Sequence, residues 1–414
     1  MNHKQRLVVI GNGMAGARAI EEVLRCGGAD SFQIAVFGEE PYGTYDRMKL
    51  PEVVAGWQSA EDILVNSPEW YADNGIRLHV GERAAVISRE ARRVYGADGT
   101  MEHYDKLILA VGSDPYVPLI RNMIGPARAL RDGVSAFRSL NDCSRIVSLA
   151  HGSARVAVLG GGHLAIEAAR GLLARGCHVQ LVHRGSRLLG DHLDEGGAAT
   201  LRAVLEQAGV EVHLGKSISA VLGETAVSGV EFRDGSRLDC RLVVLAMGLQ
   251  PNSWIAAQCG LTVSRAIVVD DQMRSVDDGD IYALGECAEH RGEVSSLLEP
   301  IWNQARILAS HLTGSDPEAA FHGATRATRL RLLGVDLASL GMIEAERPTD
   351  QVFRFPSARG EYKKLVVRDG RLVGALVLGS PEEVALYGRL FASATSGASL
   401  SSLDSGALAA QLVS

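Results

Sequence analysis

The chain has 414 residues, of which 46% are hydrophobic and 22% charged, with a formal net charge of −7 and 46 glycines. That length exceeds what one hydrophobic core accommodates, so two or three domains are expected, and the acidic balance excludes a general nucleic-acid binder, which needs a basic surface. No apolar run approaches the roughly 20 residues that cross a membrane, and the six cysteines fall in no C-x-x-C or C-x₄-C spacing suited to zinc, an iron–sulfur cluster or a redox disulfide.

Met1–Arg6 leads straight into the first strand without room for a secretory signal, so a cytoplasmic location is expected. Strand Leu7–Ile10, a helix from Met14 to Arg25 and strand Gln33–Phe37 follow, and the first strand breaks into Gly11-Asn12-Gly13-Met14-Ala15-Gly16. Ala97-Asp98-Gly99 is a hairpin turn, and an apolar strand then ends in Ala110-Val111-Gly112. The pattern recurs with strand Arg155–Leu159, Gly160-Gly161-Gly162-His163-Leu164-Ala165, a helix through Glu167 to Ala174, and strand His178–His183. The turn at Asp234-Gly235 precedes a second closing strand, which ends in Ala246-Met247-Gly248. Both units read as βαβ starts of a parallel sheet. Beyond residue 323, apolar residues alternate in Arg329–Leu333, Lys364–Val367 and Leu372–Leu378, with a hairpin turn at Arg368–Arg371 and a Ser/Ala/Leu-rich helical tail. The expected fold is α/β: two Rossmann-like dinucleotide-binding domains, the second inserted in the first, plus a small α+β C-terminal domain. The boundaries drawn are 1–114 with 247–322, then 115–246, then 323–414.

In G-x-G-x-x-G the first glycine permits a tight turn, the second lets a pyrophosphate reach the backbone, and the third lets helix and strand pack closely. The helix then aims its amides and dipole at the phosphates. An acid is wanted at the end of the next strand for the adenosine ribose, and Glu39 and Glu40 stand there. In the second unit Ala165 takes the third place, and the strand ends at His183-Arg184, with Arg187 close by. A carboxylate would repel a 2′-phosphate, whereas these cations could accept one, which favours NADPH over NADH. A solvated rim of basic residues would look the same. Two dinucleotides in one chain point to hydride passing between them.

Asp277–Glu286 completes the pattern with Ile281-Tyr282-Ala283-Leu284-Gly285-Glu286. Together the motifs resemble the two-dinucleotide flavoproteins of the pyridine nucleotide–disulfide oxidoreductase fold, whose late motif I-Y-A-x-G-D holds flavin ribityl and pyrophosphate groups. Gly285-Glu286-Cys287-Ala288, Phe37–Pro41, Tyr45-Asp46-Arg47 and Leu330–Asp336 narrow the resemblance to the flavin reductase portion of NAD(P)H-dependent assimilatory nitrite reductase large subunits and related ferredoxin and rubredoxin reductases. It covers roughly residues 6–380. The resemblance implies FAD on Gly11, Gly13, Met14, Ala15, Gly16, Glu39, Glu40, Arg47, Lys49, Ala110, Val111, Gly112, Gly285 and Glu286, with Trp302 near the flavin ring or simply packed in its helix. It implies NAD(P)H on Gly160, Gly162, His163, Leu164, Ala165, Glu167, His183, Arg184, Arg187, Ala246 and Gly248. Glu167 could equally be a buried partner for an arginine.

Two departures stand out. Related ferredoxin reductases carry a lysine near the flavin after a leucine–serine pair; here Glu52 follows Leu50-Pro51, and Lys49 is a possible substitute. Large nitrite reductase chains continue into iron–sulfur and sirohaem modules, for which this sequence has no clustered cysteines, so the expectation is that it does not reduce nitrite unaided. Disulfide reductases and thiol peroxidases of this fold place cysteine near the flavin. Pro41–Leu50 has none, and Cys287 reads as packing.

No catalytic acid or base is expected, only flavin chemistry helped by Lys49, Glu167 or Trp302. The expected activity is an NAD(P)H-dependent FAD reductase feeding an iron–sulfur or other redox protein, with no nucleic-acid or membrane partner, as a homodimer or heteromer. Arg326, Arg329 and Arg331 could dock an acidic carrier, though solvated strand arginines would look identical. An NAD(P)H oxidase and a flavin-binding redox sensor with little turnover are the alternatives.

Overall fold

The structure is a computed structural model that describes residues 4–395 apart from 126–128, 324–326, 333–334 and 357–359. The chain forms two compact units: Met1–Leu50, Gln58–Asp114 and Leu249–Ala324 in one, and Pro51–Trp57, Pro115–Gly248 and Thr325–Ser414 in the other.

In chain order the elements that matter are β1 (Gln5–Ile10), α1 (Met14–Arg25), β2 (Phe32–Gly38) and β3 (Lys106–Leu109); then β4 (Arg155–Leu159), α2 (His163–Ala174), β5 (His178–Val182), α3 (Glu195–Gln207) and β6 (Leu242–Leu245). After these come β7 (Asp278–Ala283), α4 (Leu298–Thr313), β8 (Tyr362–Arg368), β9 (Arg371–Gly379) and α5 (Pro381–Thr395).

In the first unit β1 lies in the middle of a sheet, parallel to β2 on one side and β3 on the other, with β7 parallel beyond β3. A central parallel strand is covered on both faces, which is why Leu7-Val8-Val9-Ile10 is an unbroken buried run rather than an alternating one. Helix α1 packs on α4; Ala19, Ile20 and Val23 of one and Ile301, Ala305, Leu308 and Ala309 of the other are buried, small residues allowing close approach. The start of β1 is tied down by Asp105, which accepts from the Arg6 amide at 2.7 Å and from the Arg6 guanidinium at 2.8 and 3.0 Å. That partner holds the Asp105 pKa down at about 2. A depressed carboxylate stabilises the fold above its unfolded pKa and loses that contribution as pH falls towards the folded value. Acid titration of the natural protein and an Asp105→Asn variant should therefore give unfolding midpoints that differ at neutral pH and converge as pH falls from about 4 to 2.

In the second unit the order is Val134–Ala136, β6, β4, β5, Glu211–His213, all parallel, so β4 occupies the place that β1 has in the first unit. The C-terminal part is a five-stranded antiparallel sheet in the order Ala327–Leu332, Val335–Gly341, β9, β8, Gln351–Pro356, with α5 packed on it. The expected β8–β9 hairpin turns at Asp369 and Gly370, both at positive φ (50° and 72°), as the primed hairpin turns require. Leu333, the last residue of the strand read from Arg329, and the tail beyond residue 395 lie outside the described residues. Among the described residues no helix is long and apolar enough to cross a membrane.

Candidate functional site

The two glycine turns are built alike. Gly11 leaves β1 at φ +107° and donates its amide to Phe37 O at 2.9 Å; a Cβ there would lie 2.2 Å from Ala110 O. Gly160 leaves β4 at φ +146° and donates to Val182 O at 2.9 Å; a Cβ there would lie 2.0 Å from Ala246 O. So each Ala-x-Gly strand end is what excludes a side chain from the turn beside it. The third position shows why the motifs differ. A Cβ on Gly16 would meet Gly11 O at 2.0 Å, whereas Ala165 is accommodated. Helices α1 and α2 both begin at an N-cap glycine, Gly13 and Gly162, with no side chain capping their first amides. Around Gly162 nothing lies within 4 Å of a Cβ position, and around Gly13 only Arg47 Nε reaches 4.0 Å. These are open cradles of donors, the geometry that an anionic pyrophosphate fits.

The first cradle is lined by polar groups. Arg47 is in ion contact with Glu40 and lies 4.9 Å from the Tyr45 ring, while Tyr45 donates to Glu40 at 2.7 Å. Burial works against the Arg47 charge, but Tyr45, Glu40 and Glu286 outweigh it and raise its pKa. Gly285, at φ +80°, comes so close to α1 that a Cβ would lie 2.9 Å from Ala15 Cβ, and its amide donates to Gln304 at 2.9 Å. Glu286 accepts from Ser113 Oγ at 2.6 Å. Glu39 is exposed just past β2, with Arg83 at 3.9 Å. Gly112 follows Ala110 and Val111 at φ +65° with nothing near a Cβ.

Sequence reasoning missed one group here. Asn12, the residue between the two glycines, accepts through Oδ1 from Tyr71 at 2.6 Å and Thr44 at 3.1 Å, and its amide nitrogen is buried without a partner among the described residues. An orphaned donor inside the phosphate turn is what an anion would satisfy. No spacing rule reveals it, because Thr44 and Tyr71 arrive from other segments.

In the second unit Glu167 pairs with an arginine. Arg170 donates to Glu167 at 3.0 Å and to Glu52 at 2.9 Å, and lies 5.2 Å from the Trp57 ring. Burial raises the Glu167 pKa, Arg170 opposing and Glu52 adding to the rise. Glu52 thus answers to a guanidinium, while its other oxygen is buried without a partner among the described residues. His163 and Leu164 are half-buried at the start of α2, and Gly248 stands at φ +112° after Ala246. His183, at the end of β5, lies against the glycine turn: a Cβ on Gly161 would meet its ring at 2.4 Å. Arg184 and Arg187 are exposed.

Three candidates have ordinary partners. Trp302 on α4 stacks with Arg18, its guanidinium 5.7 Å from the ring centroid. Lys49 is half-buried in the turn Arg47–Lys49 and acts on Asp62. Cys287 is fully buried, its thiol donating to the Leu109 and Leu284 carbonyls at 3.4 and 3.3 Å, and burial pushes its pKa up to about 11. A neutral, enclosed thiol is not a nucleophile. The native protein should leave Cys287 unlabelled by a thiol reagent at pH 8 while denatured protein labels it; rapid native labelling would reverse that reading. Of the basic strip, Arg329 is exposed, and Arg326 and the Arg331 side chain lie outside the described residues.

Residues 5–306 match the profile of the pyridine nucleotide-disulphide oxidoreductases, and residues 327–395 that of the rubredoxin NAD+ reductase C-terminal domain. The chain is 37% identical to a nitrite reductase [NAD(P)H] of Bacillus subtilis, over 92% of its own length and 46% of that protein. It is also 37% identical to the assimilatory nitrate reductase electron transfer subunit of the same organism, over 92% and 48% of the two chains. It therefore spans about half the length of these relatives. Among solved structures, a ferredoxin reductase from Rhodopseudomonas palustris superposes with a TM-score of 0.80 at 25% identity, covering 93% of this chain and 94% of that one.

Proposed function

Because the chain belongs to the pyridine nucleotide-disulphide oxidoreductase family, we propose that it is an FAD-containing reductase that takes hydride from NAD(P)H and passes electrons to a separate redox protein. The observation that carries this reading is the duplicated glycine turn, each with an uncapped helix behind it and an Ala-x-Gly strand end beside it. We assign FAD to residues 1–114 and 247–322, NAD(P)H to 115–246, and an interface role to 323–414.

FAD, when bound, accepts hydride on its isoalloxazine ring and releases electrons singly. The chain's own part is binding and alignment. The first amides of α1, with the Asn12 amide nitrogen, would donate to the pyrophosphate, and Glu39 would accept from the adenosine ribose. Glu40 and Tyr45 fix Arg47 beside the same turn, so its charge is in place before the ligand arrives. In the second unit the first amides of α2 would hold the other pyrophosphate. Arg170 holds Glu167 and Glu52 together through hydrogen bonds to both carboxylates. Cys287 is enclosed and offers no relay, and burial also raises the pKa of Cys177, Cys240 and Cys259.

The proposed acceptor is an iron–sulfur protein such as a ferredoxin or rubredoxin, or a component of nitrate or nitrite reduction. Support comes from the relative named as a nitrate reductase electron transfer subunit and from the rubredoxin reductase character of residues 327–395. The cytoplasm, which holds the NAD(P)H pool, is the proposed location. With NAD(P)H supplied anaerobically, the protein should reduce added ferredoxin or rubredoxin faster than it consumes oxygen in air. Rapid oxygen uptake without a carrier would replace this reading with an oxidase, and negligible turnover with every acceptor would replace it with a redox sensor.

A further inference from the structure

Asn12 stands between Gly11 and Gly13, and the groups around its side chain come from three other segments of the first unit. The end of β2 gives it room: a Cβ on Gly38 would lie 3.0 Å from Asn12 Cβ and 3.6 Å from its amide nitrogen. Strand Thr44–Tyr45 pairs antiparallel with Leu64–Asn66. Ser67 then caps the helix Pro68–Asp73 by accepting from the Trp70 amide. The first of these strands brings Thr44, and the helix brings Tyr71, to the Asn12 side-chain oxygen. Both residues are buried. Tyr71 donates to Asn12 Oδ1 at 2.6 Å, and Thr44 Oγ1 lies 2.8 Å from the Tyr71 oxygen, 3.1 Å from Oδ1 and 3.2 Å from the Asn12 backbone oxygen. The Tyr71 ring meets Trp70 edge-on, centroids 5.0 Å apart, and belongs to the hydrophobic core. Burial raises the Tyr71 pKa, so the phenol keeps the proton it donates.

An asparagine side chain has an acceptor end and a donor end of nearly the same shape, and only its neighbours decide which way round it lies. Here Tyr71 places its proton on the oxygen, and Thr44 supports the same end. That leaves the amide nitrogen on the other side, buried and without a partner among the described residues. Turned over, the side chain would present a carbonyl oxygen where an anionic ligand comes, and an acceptor beside an anion repels it. The two hydroxyls thus make Asn12 a donor before any ligand arrives. A donor fixed in advance spares the cost of ordering it on binding.

We infer that Tyr71, assisted by Thr44, is a positioning residue for the flavin: its hydroxyl holds Asn12 Oδ1 so that the amide nitrogen faces the pyrophosphate of FAD. The inference rests on the proposed role of the first glycine turn as the FAD site. Tyr71 acts through Asn12, not by touching the cofactor.

Dilution of the holoprotein, with FAD release read by the change in flavin fluorescence, gives the dissociation constant without any turnover. Tyr71→Phe keeps the ring and its packing and removes only the hydroxyl. It should weaken FAD binding about threefold to tenfold, and Thr44→Val should do so less. Asn12→Ala should weaken it about tenfold or more, and Asn12→Asp, which sets an anionic oxygen in the donor's place, on the order of a hundredfold. The decisive variant combines Asn12→Ala with Tyr71→Phe. It should bind FAD no more weakly than Asn12→Ala alone, because the hydroxyl then has no amide to hold. Unchanged affinity in Tyr71→Phe, additive losses in the double variant, or FAD held by Asn12→Asp as tightly as by the natural protein would each overturn the inference and leave the proposed reductase standing. A natural protein that binds no FAD would overturn the reductase itself, and this inference with it.

Discussion

A Gly13→Val variant should fold nearly as the natural protein does and emerge from purification without flavin. Gly13 has φ −82° and ψ −175°, extended backbone that any residue adopts, and a Cβ there approaches no protein atom more closely than Arg47 Nε at 4.0 Å. Folding thus loses little beyond the poorer helix cap, about 1 kcal/mol. The branched side chain would stand in the space in front of α1, where the pyrophosphate must approach the first amides. Blocking that approach should weaken FAD binding on the order of a hundredfold or more, about 3 kcal/mol. Gly11→Ala makes the contrast, because its Cβ would lie 2.2 Å from Ala110 O at φ +107°, and the fold itself must shift. Flavin content and thermal melting of the two variants separate the effects: Gly13→Val should be colourless and stable, Gly11→Ala colourless and destabilised. A yellow Gly13→Val protein would remove the phosphate from this turn.

The second large effect concerns stability. Lys364 on β8 is fully buried, and its ammonium lies 3.0 Å from Asp194 and 2.9 Å from Glu344. Asp194 caps α3 by accepting from the Gly197 amide at 3.0 Å and also accepts from Tyr362 at 2.8 Å. Burial opposes the Asp194 charge, but the Gly197 amide, Lys364 and Tyr362 prevail and lower its pKa. Lys364→Ala leaves that enclosed carboxylate with only the more distant Arg354, at 3.9 Å, and opens a cavity, so it should cost about 3–5 kcal/mol. Lys364→Met with Asp194→Asn removes both charges, keeps a capping oxygen and should recover much of the loss. Denaturant unfolding checks the series. A loss under about 1 kcal/mol for Lys364→Ala would mean that the pair is energetically idle.

What the sequence made legible were features encoded within a few residues. The glycine turns, the Ala-x-Gly strand ends and the hairpins at Asp98-Gly99, Asp234-Gly235 and Asp369-Gly370 each follow from local conformational needs, and the structure has them. Contacts between distant segments were not legible. Asn12 meets Thr44 and Tyr71, and Lys364 meets Asp194, only because the sheets bring them together, and strand alternation alone says nothing of an ion pair. Strands Val335–Gly341 and Gln351–Pro356 were not singled out, since their place in the C-terminal sheet depends on long-range pairing. Glu167 lay between these cases: an arginine partner was one of two readings, and one turn of α2 does bring Arg170 beside it. Glu52 joins the same guanidinium from another segment, which no helical spacing could foretell.

The most direct test is an anaerobic titration of the purified protein, reconstituted with FAD if needed, with NADPH and separately with NADH, following the flavin absorbance band. Stoichiometric bleaching, faster with NADPH, is the predicted result. A protein that takes up no FAD, or whose bound flavin stays oxidised with both nucleotides, would contradict the account.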